Sequence, residues 1–468
     1  MKWLNSLDAL MVASESPNVH LHTLKVAVIE LDKKCRKFDI ESFRNEIRAR
    51  LLFLDPLCYQ LINIPFNIHH PIWQEHCQVD LRYHIRPWRL PEPGGRRELD
   101  EAIGEIGSTP LAHDRPLWEM YFVEGLAGNK IAVVGKIHHA LMDGIGASNL
   151  MALAMGLHPA PDVGPRPPDR LPPKRQLIGL AIADHFRHRN RIPKAISYTV
   201  KSLVRIRRSP YKFSTILRRP CPSRPTFMNH LLTSPKRRFA MATVPLAAAK
   251  ATCNHFGITI NELVLAMSTG ALRTLLLRYD GKAQPVLAVI PVSLDMSADR
   301  ISGNYADALS IALPADVDDP IERLKACRQS AMSSKERQRL RGPKLSNYWL
   351  DCAPPLIAKG FISLASSPIA TGRMPNLTIS NVPGPVERGR IGGGLVTDIY
   401  SVGHLAPWSG LNITVWSYCD QLNISVLTDD STVKDPYEVT DAILSEFKNI
   451  GHRAGVDEPS ATASGKRA

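Results

Sequence analysis

The sequence predicts an α/β protein of two domains joined by a basic connecting segment, and three observations carry that expectation. Short apolar runs of β-like composition alternate with longer stretches of helical periodicity. The chain has 468 residues, 44% of them hydrophobic, which is enough to fill two cores. A stretch rich in proline and arginine interrupts the alternation before its midpoint.

Taken in order, the first domain, 1–157, holds strand-like runs at 24–31 and 131–134 and a helical run at 40–52. The second, 239–453, holds strand-like runs at 286–290, 412–417 and 422–427 and helical runs at 261–277, 320–334 and 436–450. No internal repeat relates the two. The connecting segment, 158–238, opens on Pro159, Pro161, Pro165, Pro167, Pro168, Pro172 and Pro173, which break regular structure. The tail, 454–468, is small and polar, the composition of a disordered end.

Net charge is +14, and its distribution says more than its size. Residues 166–238 carry 19 Lys and Arg against Asp169 and Asp184, so the rest of the chain is slightly acidic. Within that segment, 177–186 and 196–206 read as basic amphipathic helices; Ile196, Val200, Leu203 and Val204 recur at helical spacing beside Lys201, Arg205, Arg207 and Arg208. Such helices suit an anionic membrane surface or a lipid droplet, or else they pack on their own protein with the charges solvated. Nucleic acid is not the expected partner, because few aromatic residues interleave the charges and no nucleic-acid motif is present. Eight scattered cysteines without a C-x-x-C pair fit reduced thiols, and no apolar stretch of about 18 residues occurs. A cytoplasmic location is therefore expected, with peripheral attachment to the inner membrane or droplets.

Chemistry is expected at Ile137-His138-His139-Ala140-Leu141-Met142-Asp143-Gly144. The apolar run 131–134 ahead of it reads as a buried strand, which delivers an imidazole with a pKa near 6.5 to its end. Adjacent residues on extended backbone point to opposite faces, so His138 and His139 should do different jobs. Asp143 is placed to pair with a buried cation and lock the loop, and Gly144 to supply backbone freedom where strand turns toward helix. His69-His70 lacks a following Asp-Gly and reads as surface loop. No companion histidine cluster with ligand spacing exists, so no metal is expected.

The pattern His-His-x-x-x-Asp-Gly resembles the signature of the CoA-dependent acyltransferase superfamily. Further segments narrow the resemblance to the bacterial wax ester synthase/diacylglycerol acyltransferase family, in particular the actinobacterial triacylglycerol synthases. They are Ser6-Leu7-Asp8-Ala9-Leu10, Pro116-Leu117-Trp118-Glu119, Asn261-Glu262, Pro291-Val292-Ser293-Leu294, Gly303-Asn304, Ile379-Ser380-Asn381-Val382-Pro383-Gly384 and Gly410-Leu411-Asn412, in order over nearly the full length.

That resemblance implies two chloramphenicol acetyltransferase-like subdomains joined by a helical crossover, with the active site in a tunnel between them. It implies acyl-CoA as co-substrate, no other cofactor, and diacylglycerol or a fatty alcohol as acceptor. His139 is then the general base, His138 and Asp143 support the loop, and Gly144 permits its turn. Asn261, Ser380 and Asn381 are candidate oxyanion donors or, equally, structural caps. Direct transfer needs no nucleophile elbow, and Gly146-Ala147-Ser148-Asn149-Leu150 is not one. The chain departs from the family at Glu262, Asp295 and His230, where Asp, Arg and Gly are usual; the Asp295 exchange reverses a charge. The alternatives are an acyltransferase of complex-lipid or condensation type with a carrier-bound donor, and a non-catalytic lipid-binding protein.

Overall fold

A computed structural model describes residues 2–32, 38–159, 161, 164, 167, 169–188, 191–211, 220–221, 224–352, 355–367, 370 and 372–456. Outside them lie Cys35, Pro165, Arg166, Pro168, Arg189, Lys212, Arg218, Arg219 and the tail from residue 457.

The first half runs β1 (Lys2–Trp3), α1 (Ser6–Ala13), β2 (His22–Glu30), α2 (Ile40–Arg50), β3 (Gln60–Ile62), β4 (Ile72–Gln74), α3 (Leu81–His84), β5 (Ile85–Arg89), α4 (Arg96–Ser108), β6 (Trp118–Leu126), β7 (Lys130–His138) and α5 (Gly144–Ala154). Two crossover helices follow, α6 (Lys174–His188) and α7 (Arg191–Arg207). The second half runs β8 (Arg237–Pro245), α8 (Leu246–Phe256), α9 (Ile260–Tyr279), β9 (Val286–Ser293), β10 (Ala306–Leu313), α10 (Pro320–Arg341), α11 (Leu345–Leu350), α12 (Pro355–Ala365), β11 (Leu377–Pro383), β12 (Arg390–Ile391), β13 (Gly394–Val402), β14 (Leu411–Tyr418), β15 (Gln421–Asp429) and α13 (Tyr437–Arg453).

Local chemistry explains the boundaries. Asp39 caps α2 by accepting from Ser42 N at 2.8 Å, and Asp319 caps α10, with Pro320 in its first turn. Thr259 and Glu262 form a capping box on α9, so the glutamate that departs from the family holds the Thr259 N–H at 2.8 Å. Gly257, at φ +59°, ends α8 in the left-handed region that glycine tolerates best.

Two six-stranded mixed sheets result, in the orders β12-β13-β2-β7-β6-β5 and β10-β9-β11-β14-β15-β8, beside a small β1-β4-β3 sheet. In the first, β5 is parallel to β6 and the other pairs are antiparallel; in the second, β11 is parallel to both β9 and β14. The boundary between the expected domains needs a correction here. Residues 390–402 belong by position to the second domain, yet β13 pairs antiparallel with β2 of the first sheet. The apolar face of β13 completes the first core, where Val396 and Ile399 are fully buried.

α9 is the one described helix long and apolar enough to cross a membrane, and it instead contributes Leu263, Met267, Leu272 and Leu276 to the second core. Trp118 is fully buried and donates Nε1–H to Leu57 O at 2.7 Å, with His84 stacked on its ring, so the Pro-Leu-Trp segment builds core. His69 is no surface residue: it is buried, against the Trp3 ring and 3.1 Å from Asp184 of α6.

The crossover helices form where periodicity placed them, but α7 faces the other way from a packed helix. Ala195, Ser202 and Ile206 turn inward, while Ile196, Val200, Leu203 and Val204 are each more than 40% exposed. α6 buries Leu177 and Ala181 against Ile64 and Ile72 and leaves Leu180 and Ile182 exposed.

Candidate active site

The motif sits where the two halves meet. β7 ends at His138, the chain tightens into a 3-10 turn over His139–Leu141, and α5 starts at Gly144. Asp143 is the cap of α5, its Oδ1 accepting from Gly146 N at 3.0 Å. The cation it meets is Arg300, from the other half: Arg300 Nη2 donates to Asp143 Oδ1 at 2.9 Å, and both side chains are buried. Arg300 also donates to the carbonyls of Gly303 (3.0 Å) and Asp295 (2.9 Å). The Asp295 carboxylate stands 3.5 Å from Arg300 Nε, so the departure from the family adds a second anion to this cation.

The loop around Gly303 docks on the turn. Gly303 N donates to Leu141 O at 2.7 Å, and Asp143 Oδ2 accepts from Tyr305 N at 3.1 Å. Gly303 adopts φ +76°, which a side chain would strain. Asn304 Nδ2 donates to the His139 carbonyl at 2.7 Å and to Asp8 Oδ1 at 2.6 Å. Burial raises the Asp8 carboxyl to about 8 despite that hydrogen bond, so it is largely protonated at neutral pH.

Gly144 needs its glycine for space and not for torsion. Its φ is not positive, and a Cβ there would stand 2.8 Å from Val382 Cγ2 on β11. Ser148 on α5 likewise meets β11, donating to Pro383 O at 3.2 Å.

The two histidines serve different neighbours. His138 is fully buried; its Nδ1 accepts from Ala140 N at 3.0 Å and its Nε2 lies 3.2 Å from Glu15 Oε1. The His139 ring stands edge-on to His404, centroids 5.1 Å apart. Its Nδ1 is enclosed and makes no hydrogen bond to another described residue. Loss of water pushes the His139 imidazole down to about 4, with a smaller push from the Lys25 charge, and the half-buried His404 down to about 3, so both are neutral at neutral pH. Lys25 is itself buried, held near 7 by desolvation, and hydrogen-bonded to Ser401 beneath the Trp416 ring.

The other predicted residues fall elsewhere. Asn381 donates its amide to Asn261 Oδ1, tying β11 to the first turn of α9. Ser380 is half-buried on β11 opposite Thr414. Among the described residues no hydrogen bond links these three to His139; Asn261 and Asn381 pair with each other, and Ser380 takes no part in that contact. His230 pairs with Asp429 at 2.9 Å, which raises its pKa.

Arg300, Asn304, Asp8, His404 and Glu15 were not singled out from sequence. Asp8 and Asn304 lie in segments that carried the family resemblance; nothing in spacing connects Arg300, His404 or Glu15 to the motif. Two cavities of about 420 and 380 Å³ flank the turn. The first is lined by Asn304 and Tyr305, the second by Asp8, Leu141 and Gly303 with Lys2, Arg191 and Lys194 at its edge; His139 lines neither. Among the described residues no cluster of three His, Cys, Asp or Glu side chains is arranged to hold a metal.

Two mixed sheets with this turn at their junction define the class, the fold shared by wax ester synthases and condensation domains. The wax ester synthase/diacylglycerol acyltransferase of Marinobacter aquaeolei matches with a TM-score of 0.68 at 23% identity, covering 97% of this chain and all of that one. The first condensation domain of the calcium-dependent antibiotic synthetase matches with a TM-score of 0.60 at 14% identity, covering 97% and 96%. Models of the wax ester synthase/diacylglycerol acyltransferase catalytic domain and of the C-terminal domain of that group match residues 4–264 and 302–451. A Mycobacterium tuberculosis protein provisionally named a diacylglycerol O-acyltransferase is 58% identical over 456 residues, 97% of each chain. The O-acyltransferase WSD of Acinetobacter baylyi is 28% identical over 448 residues, covering 91% of this chain and 92% of that one. The chain belongs to the wax ester synthase/diacylglycerol acyltransferase family.

Proposed function

We propose that the protein is an acyl-CoA-dependent O-acyltransferase that makes triacylglycerol from diacylglycerol, with long-chain alcohols as a second class of acceptor. The observation that carries the mechanism is His139, an imidazole kept neutral by burial on a turn held by both halves of the molecule. With Nδ1 enclosed, Nε2 is the nitrogen left for substrate. It takes the hydroxyl proton as the acceptor oxygen attacks the thioester carbonyl. When the C–S bond breaks, the imidazolium returns that proton to sulfur, leaving ester and free CoA thiol. The lowered pKa makes the imidazolium short-lived and the proton's return favourable. Arg300 and Asp143 fix the turn that carries the base and do not touch substrate.

CoA release by purified protein given palmitoyl-CoA with diolein or hexadecanol tests this reading. Acceptor-dependent release that falls about 10²–10⁴-fold in His139→Ala supports it. Release at the wild-type rate in that variant removes His139 as the base, and no release with either acceptor favours a carrier-bound donor or a binding role.

A second reading rests on α7. Its exposed Ile196, Val200, Leu203 and Val204 stand near the exposed Lys201, Arg207 and Arg208, a pattern that lowers an apolar stripe into a lipid interface while cations meet anionic headgroups. This arrangement supports peripheral attachment to a membrane or droplet, where both lipid substrates reside.

A further inference from the structure

Glu15 follows α1 by two residues and lies far in sequence from the motif, yet its carboxylate reaches both sides of His139. Oε1 accepts from Leu21 N at 3.1 Å and lies 3.2 Å from His138 Nε2. From each of these two partners a single hydrogen bond leads on to the turn that carries the base. Leu21 O accepts the His139 N–H at 2.7 Å, and His138 Nδ1 accepts the Ala140 N–H at 3.0 Å. Because Nδ1 is an acceptor, the ring nitrogen left to face Glu15 is Nε2. The two peptide N–H groups flanking the His139 side chain therefore both trace to one carboxylate. Oε2 is occupied by His113, 2.7 Å away, so the carboxylate is held from its outer side as well.

From this geometry we infer that Glu15 is the positioning residue of the catalytic turn, acting through His138 and Leu21 to set the direction of the His139 ring. The inference rests on the reading of His139 as the base. His138 then acts as a rigid spacer that transmits the position of Glu15 to Ala140. The charge of Glu15 is secondary in this scheme. What matters is reach, since one oxygen must meet an amide and an imidazole on either side of the strand end.

Three substitutions separate reach from charge. Glu15→Gln keeps the length and an acceptor oxygen for Leu21 N and His138; its kcat is expected within about threefold of wild type. Glu15→Asp keeps the charge but is one methylene short, and Glu15→Ala removes the group. Both are expected to lower kcat about 10²-fold, as for a base displaced by about 1 Å, with KM for palmitoyl-CoA unchanged. Thermal unfolding of each variant establishes that the protein measured is folded. The decisive comparison is made in a His139→Ala background, where adding Glu15→Asp should cost nothing further, because a residue acting only through the base has nothing left to position. An added loss there equal to that in wild type would overturn the inference, as would a Glu15→Asp enzyme faster than Glu15→Gln. If His139→Ala itself retains full activity, the reading of the base fails, which is a different result from full activity in Glu15→Ala beside an inactive His139→Ala.

Discussion

The pH dependence of the reaction offers the sharpest check on the buried base. Burial lowers His139 from 6.5 to about 4. The active form is the neutral one, so activity is lost as pH falls through the folded-state value. At pH 5 a base with pKa 4 is about 90% neutral, whereas an exposed histidine would be about 3% neutral, a contrast of about thirtyfold in kcat/KM. The same shift has a stability consequence of definite sign. Below pH 6.5 the unfolded chain binds a proton at this residue that the folded chain refuses until about 4, so folding weakens as pH falls across that window. The loss from this group alone is about 2 kcal/mol at pH 5. Initial rates of CoA release between pH 3.5 and 8, taken with acceptor well below saturation and with unfolding monitored at each pH, separate the two effects. The expected profile is flat from pH 7 to 5.5 and falls with a midpoint between 4 and 5. A midpoint of 6 to 7 in protein that remains folded would refute the enclosed imidazole.

Other consequences are as specific. Removing Arg300 as Arg300→Ala leaves the buried Asp143 carboxylate without its cation, and should cost about 3 kcal/mol in urea unfolding and most of the activity; Arg300→Lys should restore only part, since a single nitrogen cannot span the positions that Nη1 and Nη2 of the guanidinium reach. Gly144→Ala places a Cβ 2.8 Å from Val382 Cγ2 and should lower activity, with recovery in the Gly144→Ala/Val382→Ala double variant; no recovery would locate the defect elsewhere. Replacing Ile196, Val200, Leu203 and Val204 together by Ser should weaken co-sedimentation with phosphatidylglycerol vesicles while leaving the unfolding midpoint nearly unchanged. A large drop in that midpoint would mean the stripe packs against protein.

Local signals in the sequence accounted for much of the secondary structure. The runs at 24–31, 131–134, 286–290, 412–417 and 422–427 are all strands, because β-branched residues buried on both faces leave a continuous apolar trace. The helical runs at 40–52, 261–277, 320–334 and 436–450 are all helices, the first three marked at their starts by Asp39, Thr259 and Asp319. Strands such as β6, β10 and β13 left no such trace because charged or small residues interrupt them, and their place in a sheet comes from partners distant in sequence.

The candidate site divides along the same line. By itself the sequence determined the motif, its position at a strand end, the turning of its two histidines to different neighbours, the demand for a cation opposite Asp143 and the basic crossover, since each depends on residues within a few turns of one another. Only tertiary structure decided that the cation is Arg300, that Asn304, itself held by Asp8, donates to the His139 carbonyl, that His404 stands against the ring and that Glu15 lies against Leu21 N and His138, the two partners of the amides flanking His139. It also decided which side of α7 faces out, because helical periodicity defines a stripe but not what lies opposite it. The pKa of the base belongs to this second group as well, for it is set by the water that the assembled halves exclude, a quantity that no local stretch of chain contains.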